Sequence, residues 1–205
     1  MKKLLITLTF LVGIFHYTHE AIAQKGYSVG DKASDFKLKS VDEKWVSMGD
    51  QENVNGFLVI FSCNTCPFVV AYEDRMIALH EKYAPKGYPV IAINPNDAQA
   101  SPGDSFENMK KRAAAKRFPF PYVYDESQEV VKKYGATNTP QVFLLEKEKG
   151  DYIVKYVGAI DNNYQDASAV SKRYVEEALD ALMEGDPIKE EKTKAIGCTI
   201  KWKKS

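Results

Sequence analysis

Cys63 and Cys66 stand three positions apart in the run Ser62-Cys63-Asn64-Thr65-Cys66-Pro67. The preceding run, Phe57-Leu58-Val59-Ile60-Phe61, is continuously apolar and reads as a strand buried on both faces. From Pro67 to Tyr83 the apolar residues recur at helical spacing, with Pro67 suited to a first turn. The pair is thus expected where a buried strand meets a helix. There, residues i and i+3 face the same way, and two sulfurs can close a disulfide with little backbone movement. Unpaired N–H groups at a helix N-terminus favour thiolate over thiol. Such a dithiol can attack a second disulfide, pass through a mixed disulfide and be resolved by its own neighbour. Cys63, expected at an exposed mouth, is read as the nucleophile, and Cys66, one turn in, as the resolving thiol. An inert disulfide is the competing reading. A zinc site is a poor one, because no second cysteine pair accompanies the first and histidine is scarce.

The cysteines must be judged with the compartment. Lys2 and Lys3, the apolar stretch Leu4 to Phe15 and Ala21-Ile22-Ala23 read as a signal peptide over residues 1–23, cleaved before Gln24. The expectation is therefore an exported, periplasmic protein, in a setting that permits disulfides. Cleavage removes His16 and His19 and leaves His80, which makes a Ser-His-Asp or Cys-His hydrolase hard to build. Lys+Arg and Asp+Glu number 28 each. That balance supplies no basic surface for phosphates, so no nucleic-acid partner is expected.

Stepping outward along the chain, Val29 to Asp50 reads as a hairpin or irregular lead-in. Tyr88 to Ile93 is a second buried strand, Ser105 to Arg117 a helix, and Phe118 to Tyr124 extended. Ser127 to Tyr134 is a short helix, Gln141 to Leu145 and Tyr152 to Val157 a hairpin, and Ala167 to Met183 a final amphipathic helix. The alternation predicts an α/β fold: a mixed parallel and antiparallel sheet flanked by helices, forming one domain over residues 24–184.

Residues 185–205 are expected to form an extended arm packed back on that domain. Lys189 to Lys194 is charged and reads as solvated. Ile196, Cys198, Ile200 and Trp202 alternate with smaller or polar residues and should share one face. Cys198 is then either a small buried hydrophobe or an accessory thiol brought up to the dithiol.

These segments together resemble the thioredoxin-like redoxins, specifically the alkyl hydroperoxide reductase/thiol-specific antioxidant (AhpC/TSA) family. Gly30-Asp31-Lys32-Ala33-Ser34-Asp35-Phe36-Lys37-Leu38 resembles its opening segment, and Cys63 to Val69 its strand-to-helix active site. Gly197 to Trp202 resembles a C-terminal signature of the same branch. Thr139-Pro140 is similar to the cis-proline loop. The resemblance implies that these two residues face the dithiol and bind the substrate backbone. Asn64-Thr65 replaces the Gly-Pro of thioredoxin, and Ser62 its Trp, so a redox potential does not carry over. Neither cysteine sits in the Pro-x-x-x-Thr-x-x-Cys frame of a peroxiredoxin.

The sequence therefore predicts an exported thiol-disulfide oxidoreductase acting through Cys63 and Cys66. Substrates would be protein or small-molecule disulfides, electrons would come from a membrane-bound thiol reductase, and no cofactor or metal is implied. A thiol-dependent peroxidase is the alternative within enzymes, and a binding module stapled by a structural disulfide the alternative outside them. Some residues are set aside. His80 lies fourteen residues beyond Cys66, roughly 21 Å along a helix at 1.5 Å per residue. Glu73 and Asp74 are expected to be solvated or paired with Arg75 or Lys82.

Overall fold

A computed structural model describes residues 26–204; the leader expected over residues 1–23 lies outside the described residues. The strands are β1 (Lys32–Ala33), β2 (Leu38–Ser40), β3 (Trp45–Val46), β4 (Gly56–Phe61), β5 (Val90–Asn94), β6 (Tyr122–Tyr124), β7 (Asn138–Thr139), β8 (Gln141–Glu148), β9 (Asp151–Gly158) and β10 (Cys198–Thr199). The helices are α1 (Pro67–Tyr83), α2 (Phe106–Lys116), α3 (Glu129–Tyr134) and α4 (Tyr174–Glu184).

Eight strands make one sheet in the order β1-β9-β8-β4-β5-β6-β2-β3. β4, β5 and β6 run parallel, while β8 pairs antiparallel with both β4 and β9. The predicted mixed sheet is found, and the reason is visible in β4. Its odd residues Phe57, Val59 and Phe61 pack with Phe36, Met48, Tyr134 and Phe143 on one face. Its even residues Leu58 and Ile60 pack with Met76, Leu79 and Tyr83 of α1 and Val175 and Leu179 of α4 on the other. Two cores on one strand require apolar side chains at every position, which is why the run has no polar break.

One segment differs from expectation. The last helix begins at Tyr174, not Ala167, because Asn162 Oδ1 accepts the amides of Ser171 and Lys172 and holds that stretch in a turn. The charged segment Lys189 to Lys194 is solvated as expected, every side chain but Thr193 being exposed, while its backbone is stitched to β9: Val157 donates to the carbonyl of Glu191, and Thr193 donates to that of Val157.

Candidate functional site: three thiols beneath a C-terminal arm

The chain leaves β4 after Phe61 and enters α1 at Pro67, with Cys66 as N-cap in extended conformation. Pro67 starts the helix without needing an amide partner, and Cys66 presents its sulfur where a capping oxygen would sit. Asn64 and Thr65 are fixed from below by a carboxylate. Asp104 Oδ1 accepts the amides of both residues at 2.8 and 3.0 Å, and Oδ2 accepts the Thr65 hydroxyl at 3.0 Å. Tyr122 donates to Asn64 Oδ1, and Asn64 Nδ2 donates to the carbonyl of Gly103. Asp104, fully buried, also accepts from Asn96 Nδ2 and Ser101 Oγ.

The sequence reading missed Asp104. A lone acid beside a Pro-Gly turn carries no local signal that it will lie under a motif forty residues earlier.

The peptide bond Thr139-Pro140 is cis, and Thr139 faces the thiols. Its hydroxyl lies 3.2 Å from Cys63 Sγ, and its carbonyl oxygen 3.2 Å from Cys66 Sγ. The edge of β7 is occupied: β10 pairs with it antiparallel, Cys198 opposite Thr139 and Thr199 opposite Asn138. The segment whose resemblance implied a substrate-backbone site thus holds the protein's own arm.

The arm is seated by groups scattered through the chain. Asn138 Nδ2 donates to the Gly197 carbonyl, and the Ile200 amide donates to that of Thr137. The Lys201 amide donates to Asn96 Oδ1, and the Lys201 carbonyl accepts from Asp97 and Gln128. Gly197 is required by closeness, since a Cβ there would lie 2.2 Å from the Thr139 carbonyl oxygen. Ile200 is buried in the core, as its spacing implied. Ile196 and Trp202 are 53% and 44% exposed, so the expected four-residue inner face is reduced to Cys198 and Ile200. Clamping by Asn96 and Gln128 turns the chain away after Lys201.

Consequently Cys198 Sγ lies 2.7 Å from Cys66 Sγ, and all three cysteines are free thiols. Cys63 and Cys66 are each 3% exposed. The expected exposed mouth at Cys63 is absent because β10 covers it. The charge is also placed otherwise than expected. Cys66 is lowered to about 5, first by a hydrogen bond from the Cys63 thiol, then, against the opposing effect of burial, by Cys198 and the amides of Val69 and Cys198. Cys63 is pushed up, first by that same bond to Cys66, then by burial and by the Asp104 charge. Cys198 is raised to about 11, first by burial and then by Cys66. Of the three, only Cys66 is shifted toward the thiolate.

The residues set aside fall elsewhere. The His80 imidazole accepts the Val90 amide and packs beside Phe120. Glu73 is buried and doubly bonded by Arg112, with Lys116 nearby; Arg75 pairs with Asp161 instead, and Lys82 with Glu176. No helix among the described residues is long and apolar enough to cross a membrane.

Known proteins share this fold to different extents. An uncharacterised conserved protein from Geobacillus kaustophilus superposes with a TM-score of 0.79 at 40% identity, over 87% of this chain and 94% of that one. The thiol-disulfide oxidoreductase ResA of Bacillus cereus is 25% identical over 147 residues, 71% of this chain and 79% of the relative. Peroxidoxin BcpB of Mycobacterium tuberculosis shares the fold, with a TM-score of 0.57 at 16% identity over 76% and 96% of the two chains. Residues 29–161 match the AhpC/TSA family. With that match spanning the eight-stranded sheet, Cys63, Cys66 and the Thr139-Pro140 loop, the chain belongs to the AhpC/TSA family and is a redox enzyme with a thioredoxin-like fold.

Proposed function

We propose that this chain is a thiol-disulfide oxidoreductase whose redox pair is Cys63 and Cys66, exported after loss of residues 1–23 to the periplasm. The observation that carries the reading is the Cys63-x-x-Cys66 pair at the start of α1, set against the cis Thr139-Pro140 bond with the Thr139 hydroxyl 3.2 Å from Cys63 Sγ and its carbonyl oxygen 3.2 Å from Cys66 Sγ. The relationship to ResA supports the same reaction class.

We assign the first attack to Cys66, where the sequence reading assigned it to Cys63. Cys66 is the one of the three thiols whose pKa is lowered, and its sulfur is the one that Cys198 approaches to 2.7 Å. Its thiolate attacks one sulfur of a substrate disulfide, and the other substrate sulfur leaves with the electron pair and takes up a proton. Cys63 then attacks Cys66 Sγ of the mixed disulfide, forming the Cys63–Cys66 disulfide and releasing the second substrate thiol. Two electrons pass to the substrate. A thiol reductase, membrane-bound if the protein is exported, restores the dithiol by the reverse exchange. Thr139 and Pro140 line the place where the substrate backbone lies once the arm has moved.

The test is reduction of insulin disulfides by dithiothreitol. Wild type accelerates it, and Cys66→Ser falls to the uncatalysed rate. A Cys66→Ser protein as fast as wild type overturns the assignment. The order of attack is read separately, from trapping with oxidised glutathione. Cys63→Ser/Cys198→Ser accumulates glutathione on Cys66, whereas Cys66→Ser carries little on Cys63.

A further inference from the structure

The oxidoreductase reading uses two thiols, and the structure brings up a third. Cys198 arrives from the far end of the chain, 132 residues beyond Cys66, yet its sulfur is 2.7 Å from that of Cys66. The approach is built. β10 is held against β7, Gly197 is admitted against the Thr139 carbonyl only because it lacks a side chain, and Ile200 anchors the next turn in the core. Asn96, which donates to Asp104 beneath the Cys63-x-x-Cys66 loop, accepts the Lys201 amide from the arm. The loop and the arm are thereby registered on one carboxylate.

We infer that Cys198 is a third redox thiol, and that the oxidised dithiol passes its disulfide to the arm. The Cys198 sulfur attacks Cys66 Sγ of the Cys63–Cys66 disulfide. The Cys66–Cys198 bond forms, the Cys63–Cys66 bond breaks, and Cys63 leaves with the electron pair and receives the proton given up by Cys198. One disulfide and one thiol are present before and after, so the step requires no outside oxidant or reductant. Cys66 is the sulfur common to both disulfides. Its product is an arm covalently locked over β7, with Cys63 returned to the thiol state.

The inference rests on the oxidoreductase reading, and one experiment separates the two. Reduced full-length protein is oxidised with one equivalent of oxidised glutathione, quenched in acid, alkylated in denaturant and digested with trypsin. Residues 45–75 hold both Cys63 and Cys66, and residues 195–201 hold Cys198. Wild type is expected to yield the 45–75 peptide closed on itself together with the 45–75 peptide joined to 195–201. Cys63→Ser is expected to release two equivalents of glutathione and give the joined peptide, which fixes the partner as Cys66. Cys198→Ser is expected to give the self-closed peptide alone. If wild type gives the self-closed peptide while Cys198 remains fully alkylated, and Cys63→Ser stops at glutathione on Cys66, the third-thiol role is overturned and the oxidoreductase reading stands. If wild type forms neither the Cys63–Cys66 disulfide nor the joined peptide, both fall. The wild-type map decides the matter even where a variant fails to fold.

Discussion

Asn96 Nδ2 donates to Asp104 Oδ2 at 2.8 Å, and through this bond the carboxylate beneath the thiols is coupled to the arm above them. Asp104 collects five side-chain or amide donors, from Asn64, Thr65, Asn96 and Ser101, with two of them from Thr65. Replacing it with Ala leaves those buried donors unsatisfied. Asp104→Ala should lose about 3 kcal/mol in urea unfolding. It should also lower the reaction rate, because Asn64 and Thr65 no longer hold the two sulfurs in place. A loss within ~0.5 kcal/mol contradicts the role given to Asp104.

The thiolate assignment predicts a pH profile. Alkylation of the fast thiol in reduced protein should titrate near 5, and peptide mapping should place the label on Cys66. In Cys63→Ala the midpoint should move upward, because the largest cause of the lowering is the Cys63 hydrogen bond. A midpoint near the ordinary value of 9.0 in wild type would refute it.

Stability of the reduced protein should depend on pH with a definite sign. Cys66 is lowered from 9.0 to about 5 on folding, so between those values the unfolded chain holds a proton that the folded protein has released. Stability therefore rises from pH 5 to pH 9, where this contribution is complete, and is lost as pH falls back through 5. Cys63 and Cys198 are raised, so above about 9 the unfolded chain sheds protons that the folded protein keeps, and stability turns down. Urea midpoints across this range check the shape. The Cys63–Cys66 disulfide form should lack the rise due to Cys66.

Gly197→Ala places a Cβ against the Thr139 carbonyl, a backbone atom that cannot swing aside. The arm should lift. Alkylation of Cys198 under native conditions should speed up at least about tenfold, equal to ~1.4 kcal/mol of easier local opening. Amide exchange at Ile200, which bonds to Thr137, should accelerate with it. Unchanged rates at both positions would mean that the contact does not seat the arm.

Glu73 supplies a test remote from the thiols. It is buried and doubly bonded by Arg112 at 2.6 Å. Glu73→Ala leaves that guanidinium, itself partly buried, without its partner and should cost about 3–5 kcal/mol. Thermal or urea unfolding measures it. A change under ~1 kcal/mol would show that Arg112 simply turns to water.

What the sequence disclosed follows from how local each feature is. The continuous run of β4, the helical spacing of α1 and the two cysteines between them lie within 27 residues, and their period and chemistry can be read directly. Thr139-Pro140 was legible through resemblance. Asp104 was not, because its partners Asn64 and Thr65 lie forty residues away and only the folded sheet brings them together. The arm was half legible. Period two exposed its extended form and put Ile200 inward. The clamps that hold the chain on either side of Trp202, and leave that residue outside, are side chains of Asn96 and Gln128, which no pattern within the arm reveals. Burial of Cys63 was misjudged for the same reason: what covers it comes from residues 197–199.

The ladder between β7 and β10 also sets a condition on anything that approaches from outside. An unoccupied strand edge offers its N–H and C=O groups to any extended peptide. Here a tethered strand already holds them, and a short flexible tether keeps its strand at an effective concentration on the order of millimolar. A diffusing peptide at micromolar concentration that offers only the same backbone hydrogen bonds would occupy the edge a negligible fraction of the time. An outside strand must therefore bring side-chain contacts that the arm does not make. The selectivity of this surface is thus set by competition with a resident segment as much as by the fit of the surface itself.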